Sequence, residues 1–113
     1  MLAKKNRVNA PADFRRTMNK GKRVTTAHYI VSVLNRKDSD PTRFGFVVSK
    51  TVGNAVARNI TKRRLREVAV IAIEAMPDGF DVVVRARENA ADVTFTHVTA
   101  EVVGAFNKAT KRG

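Results

Sequence analysis

Residues 55–76 contain neither Gly nor Pro, a run long enough for about six turns of uninterrupted helix. Gly53 and Asn54 punctuate its start, and Pro77, Asp78 and Gly79 close it. The two halves of the run obey different rules. In the second half Leu65, Val68, Ala69, Ala72 and Met76 recur at i, i+3, i+4, i+7 and i+11, the spacing of a buried apolar stripe. In the first half Arg58, Lys62, Arg63, Arg64 and Arg66 follow one another with no acid until Glu67. At ~100° per residue, Arg58, Asn59, Lys62, Arg63 and Arg66 fall within an arc of roughly 140°, and Arg64 lies outside it. Like charges at i and i+4 destabilise a helix by about 0.2–0.5 kcal/mol per pair, so this ladder points to an external anion that offsets them. A merely solvated basic face normally interleaves acids, and this one has none.

Composition enlarges the same point. The chain has 113 residues, with 22 Lys and Arg against 10 Asp and Glu, for a net charge of +12. Such an excess repels itself in a compact fold, and nucleic acid is the partner that most readily neutralises it. One domain spanning 1–113 fits the length, with a core of modest size. There is no cysteine, which excludes a disulfide scaffold, a thiolate metal site and cysteine nucleophilic catalysis. No apolar run reaches the ~18–20 residues of a membrane span and no secretory signal is visible, so a soluble, cytoplasmic protein without a membrane partner is expected.

Around the long helix the remaining elements can be placed by pattern. Pro11–Lys20 reads as a first helix, with Pro11 in its first turn, Asp13 near its positive end, Phe14 and Met18 as a thin apolar face, and Gly21 closing it. Residues 24–34 read as a strand with Ile30, Ser32 and Leu34 on one face and Tyr29, Val31 and Val33 on the other. The polar break at 35–42 and a second strand at 43–50 then suggest an antiparallel hairpin. Residues 80–87 form a strand with an apolar centre at Val82, Val83 and Val84, and 94–109 form a helix through Phe95, Val98, Val102, Val103 and Phe106. The expected order is αββαβα. The expected class is α+β, an α/β sandwich with a central sheet of about four strands and a βαβ crossover that contains the basic helix.

Between strand and helix, Ser49, Lys50, Thr51, Val52, Gly53 and Asn54 bring hydroxyls, an ammonium and a positive helix end together, a seat suited to phosphate. The two-glycine frame of a nucleotide-hydrolysing loop is absent. His28 falls in a strand and His97 in the last helix, with no partner at recognisable ligand spacing. Asp38, Asp40, Asp78 and Asp81 sit beside turns, where acids are ordinary. No metal site and no protein-borne catalytic residue is expected.

The stretch 46–67, FVVSKTVGNAVARNITKRRLRE, resembles the signature of the bacterial ribonuclease P protein subunit family. Arg7, Asp13, Phe14 and Gly21 resemble that family's N-terminal pattern, and DVVVRAR at 81–87 its last strand. Two positions depart: Ile60 stands where the family commonly has Arg, and Thr51 where it often has a basic residue. The resemblance implies a non-catalytic protein subunit of an endoribonuclease that removes the 5′ leader from precursor tRNA, with the chemistry done by a catalytic RNA. It implies that Lys50, Asn54, Arg58, Asn59, Lys62, Arg63 and Arg66 meet that RNA, and that Phe14, Met18, Ser32, Val47, Ala86 and Arg87 line a cleft for the single-stranded leader. It further implies a left-handed βαβ crossover, Mg2+ held mainly by the RNA, and no small-molecule ligand. Phe14 beside Arg15 and Arg16 suits a stacking platform in a basic groove, and equally suits a pin fastening the first helix to the sheet. A ribosomal-type structural RNA binder is the alternative that charge and fold leave open, and a self-sufficient nuclease is a third.

Overall fold

The computed structural model describes residues 2–110. Its elements are α1 (Pro11–Lys20), β1 (Lys22–Thr25), β2 (Tyr29–Asn35), β3 (Arg43–Val47), α2 (Ala55–Ala75), β4 (Phe80–Ala86) and α3 (Phe95–Thr110), with short 3-10 turns at Lys4–Asn6, Lys50–Val52 and Ala90–Asp92. The four strands form one sheet in the order β1-β2-β4-β3. β1 and β2 are antiparallel, β2 and β4 are antiparallel, and β3 runs parallel to β4 through the α2 crossover.

The α+β class and the four-stranded sheet hold, but two expectations about its strands change. Residues 24–34 are not one strand: the chain turns at Thr26, Ala27 and His28, so the order is αβββαβα. Thr26 makes this turn without Gly or Pro. Its amide donates to the Tyr29 carbonyl at 2.8 Å, and its hydroxyl accepts from the Tyr29 amide at 3.1 Å. Nor do β2 and β3 form a hairpin, because β4 lies between them and pairs with both.

Strand parity sorts the side chains into two layers. Tyr29, Val31 and Val33 of β2, Phe44 of β3 and Val82, Val84 and Ala86 of β4 join Leu65, Val68, Ala69 and Ala72 of α2 and Val98, Val102 and Phe106 of α3 in the main core. The apolar stripe of α2 is therefore buried as its spacing predicts. α1 crosses the opposite face, over β2 and β4. There Gly45 comes so close to Phe14 that a Cβ on the glycine would lie 2.6 Å from the ring. The two sheet edges are treated differently. Along β3, Arg7 bridges Phe44, and the Val8 amide donates to the Phe44 carbonyl at 3.0 Å. β1 carries Lys22 and Arg23, both exposed, along the other edge.

At one end of the sheet Asp81 is wholly buried, with a side-chain exposure of 0%. Arg43, at the start of β3, donates to it through Nε at 2.9 Å and Nη2 at 2.8 Å, and Arg36, just past β2, donates through Nη1. Arg36 also donates to the carbonyls of Phe80 at 3.0 Å, Asp40 at 2.8 Å and Pro41 at 2.9 Å. Arg16 of α1 reaches Asp81 at 3.6 Å and Asp13 at 3.4 Å. Burial pushes the Asp81 carboxyl up, but the bonds from Arg43 and Arg36 outweigh it and hold the group below the usual carboxylate range. A carboxyl so held stabilises the fold above its unfolded value of about 3.9 and loses that contribution as pH falls below it. Asp81→Ala should cost about 3–5 kcal/mol at neutral pH, the penalty of stranding buried charge partners. Urea denaturation at pH 7 and again near pH 3 checks this: the gap between parent and variant should narrow in acid.

Candidate RNA-binding surfaces

The basic half of α2 starts from a built cap. Asn54 Oδ1 accepts from the Ala57 amide at 2.9 Å, which fixes the side chain and turns its amide nitrogen outward from that bond. Before it Gly53 has φ 146°, a conformation that side-chain-bearing residues rarely adopt. Arg58 Nη1 donates back to the Gly53 carbonyl at 3.1 Å, laying its guanidinium over the strand-to-helix loop. Lys50 is exposed on the preceding 3-10 turn, where the Ser49 and Thr51 hydroxyls lie 2.8 Å apart. Asn59, Arg63 and Arg66 are exposed, and Arg58 and Lys62 half-buried. Among the described residues, none of Lys50, Arg58, Lys62, Arg63 and Arg66 is in an ion pair, whereas Asp13, Asp38 and Asp81 all are. Arg64 stands apart as its position predicts: its Nη1 donates to the Val93 carbonyl at 2.6 Å and ties α2 to the segment before α3.

The other expected set lies on the α1 face of the sheet. α1 covers only part of that face, and register places Ser32 beside Val83 and Gly45, with Ile30, Arg85 and Val47 in the next row. Met18 closes over Ile30, Ser32 and Val83. Beyond it a groove of about 510 Å3 is bordered by Ile30, Thr51, Arg85, Ala86 and Arg87. Arg87 Nη1 donates to the Thr26 carbonyl at 2.7 Å, which anchors the groove rim to the β1–β2 turn.

Five of the six expected cleft residues, Phe14, Met18, Ser32, Val47 and Arg87, belong to this face. The sixth, Ala86, borders the groove beside Arg87 but is 3% exposed and packs in the main core, so it offers little surface there. Its neighbour Arg85 is exposed and shares the row of Ile30 and Val47, so Arg85 and Ile30 are the residues that the sequence reading missed. The alternation of a strand could have found them, since consecutive residues such as Ala86 and Arg87 cannot both face one side of it.

Phe14 lies at a junction. A smaller groove of about 220 Å3 is lined by Phe14, Arg7, Val8, Phe46, Lys62 and Arg66, among others. The cation ladder and the α1 face, which the sequence presents as two separate surfaces, therefore meet along one border.

Both histidines also differ from expectation. His28 sits in the β1–β2 turn rather than in a strand, and it does have partners. Its Nδ1 is 2.8 Å from Oε1 of Glu101, and Nε2 of His97 is 3.1 Å from the same oxygen. Burial raises the Glu101 carboxyl, but hydrogen bonds from Thr26 and His28 outweigh it and leave it below its ordinary value. The i, i+4 spacing of His97 and Glu101 was visible in the sequence; the approach of His28 depends on the fold.

Comparison with known proteins gives a consistent result. Residues 2–110 match the Ribonuclease P family. The chain is 39% identical to a ribonuclease P protein component of Clavibacter michiganensis, over 98% of each sequence. It is 33% identical to the Staphylococcus aureus RNase P protein, with a TM-score of 0.81 over 93% of this chain and 95% of that one. An RNase P protein of Thermotoga maritima, solved in complex with 1-(4-fluorophenyl)-2-thiourea, is 26% identical with a TM-score of 0.77, over 95% and 100%.

The contact between Gly45 and Phe14 can be tested directly. Gly45→Ala forces a Cβ to within 2.6 Å of the far edge of a half-buried ring, which can swing away. The expected outcome is a stability loss of about 1 kcal/mol, the low end for overpacking, with a large change in the Phe14 ring resonances. An unmoved ring would contradict the packing described here.

Proposed function

The chain belongs to the ribonuclease P protein family, and on that premise we propose that its α2 cations dock on the catalytic RNA while the uncovered part of the α1 face holds the 5′ leader of precursor tRNA. It is the protein subunit of a tRNA-processing endoribonuclease, and the ribosomal-type alternative is not favoured by its relatives. The observation that carries the surface assignment is the ladder itself: four cations of α2, with Lys50 and an exposed Asn54 just before them, and no acid paired to any of them among the described residues. Phosphates are the anions that such an array accommodates, each contact releasing condensed counterions.

The leader surface has a different character. Phe14 and Met18 give apolar contact, Ile30 and Val47 a flat floor, and Arg85 and Arg87 charges on the rim. A single strand is held in this way, by stacking on an aromatic face inside a basic groove. Binding there would favour precursor over mature tRNA, because only the precursor carries the strand that fills it. Lys62 and Arg66 border the Phe14 groove, so the leader would pass directly from the catalytic RNA onto the protein.

Magnesium, which this chemistry implies, prefers oxygen ligands. The one three-residue metal-capable cluster among the described residues supplies two imidazoles and one carboxylate, a set that does not suit it. We therefore leave magnesium on the RNA and route no step through the protein. No helix among the described residues is long and apolar enough to cross a membrane, and we place the protein in the cytoplasm with its RNA.

Reconstitution tests the reading: added to its cognate RNA, the protein should restore precursor cleavage at low magnesium. Arg58→Ala with Lys62→Ala should weaken catalytic-RNA binding and flatten its dependence on log salt by up to about 0.9 per lost phosphate contact. Phe14→Ala should instead weaken leader-bearing precursor by about 1–3 kcal/mol per unstacked base, with leaderless tRNA unaffected. Equal losses for every RNA from both variants would dissolve the division into two surfaces.

A further inference from the structure

Away from both surfaces, Glu101 of α3 gathers two imidazoles. His97 stands one turn before it on the same helix, and His28 approaches from the β1–β2 turn. The three ligand atoms, Nδ1 of His28, Nε2 of His97 and a carboxylate oxygen of Glu101, lie within 4.8 Å of one another. The two rings are 5.5 Å apart and nearly perpendicular.

The carboxylate is held in place by its other oxygen. Oε2 accepts from the His28 amide at 2.7 Å and from the Thr26 hydroxyl, so Oε1 is aimed at the two rings. This is the arrangement of a metal ligand with its outer support already built. Around an ion at about 2.0–2.1 Å from each ligand, tetrahedral angles separate the ligand atoms by roughly 3.4 Å. The observed 2.8 Å and 3.1 Å must open by about 0.6 and 0.3 Å to reach that separation, and the two imidazole nitrogens, within 4.8 Å of each other, must close toward it. His97, with its side chain 55% exposed, is free to make that adjustment and leaves a path for an ion, whereas Glu101 at 9% is fixed.

We propose that His28, His97 and Glu101 form a binding site for one divalent transition-metal ion of the Zn2+ class. Two imidazoles and one carboxylate select zinc and its neighbours in the transition series over magnesium and calcium. Three protein ligands leave a fourth position open to water. The ion would join α3 to the β1–β2 turn, replacing two shared hydrogen bonds by coordination. That turn is itself tied to the leader surface, since the carbonyls of Thr26 and His28 accept from Nη1 and the amide of Arg87 at 2.7 Å and 2.8 Å. A bound ion thus adds positive charge behind Arg87. The site stands on its own geometry and does not depend on the RNA assignments.

The test uses the full chain without an affinity tag, stripped with chelator and titrated calorimetrically with ZnCl2 and separately with MgCl2 at pH 7.5. One Zn2+ per chain, no Mg2+ heat at the same concentrations, and intense visible bands from Co2+ in a tetrahedral site are expected. His97→Ala should weaken Zn2+ binding beyond the roughly 10- to 100-fold that loss of an outer-shell partner costs. Glu101→Gln keeps oxygen for the Thr26 and His28 donors while removing the anionic ligand, and should weaken it likewise. Circular dichroism of the chelated variants confirms that both remain folded. Absence of Zn2+ binding, binding that survives both substitutions, or equal heat from Mg2+ would each overturn the assignment.

Discussion

One carboxylate holds three strands and a helix together. Asp81 opens β4, the strand on which the sheet is assembled, and it receives Arg36 from the end of β2 and Arg43 from the start of β3. Neither strand is the other's neighbour, so this ion cluster fixes their common end where no ladder between them can. Arg16 brings α1 to the same point, and the Arg43–Asp13 contact at 3.5 Å repeats the link. The placement of α1 across the sheet, and with it the uncovered remainder of that face, follows from a group that hydrophobic patterning alone would have left outside the core. The carboxylate remains charged there because three guanidinium hydrogen bonds, two to Oδ1 and one to Oδ2, replace the water that burial removes.

Of the ten acids, Asp13, Asp38 and Asp81 pair with Arg16, Arg36 and Arg43, and Glu101 bonds the two histidines. None of these four reaches the α2 cations. The first half of α2 carries cations and no acid, and the long helix accepts that strain because its second half is anchored through Leu65, Val68, Ala69 and Ala72. The two halves of one helix thus divide the work: packing supplies the stability that the repelling half lacks.

Much of this was legible in the chain. Periodicity located all three helices to within about a residue, and the 3.6-residue rule separated Arg64 from the ladder before the structure showed it bonded elsewhere. What could not be read was pairing at a distance. The turn at residues 26–28 uses Thr26 hydrogen bonds and a Glu101 carboxylate 75 residues away in place of Gly or Pro, so nothing local announced it. The insertion of β4 between β2 and β3 is likewise a property of the whole chain. Ala86 is a different case: it borders the groove, as transfer by position has it, but strand parity buries it in the main core and turns Arg85 to the α1 face. The His28, His97 and Glu101 cluster was half visible in the helix and completed only by the turn.

The outer edge of β1 presents backbone donors and acceptors with no strand beside them, while Lys22 and Arg23 project from it. A bare edge of this kind invites a second chain to zip onto it, and juxtaposed lysines and arginines on two copies would oppose that approach. Before its RNA arrives, the free subunit is therefore kept from fibril-like stacking by the very electrostatic surplus that later draws it to a polyanion. Solubility in isolation and affinity in assembly are two consequences of one charge distribution.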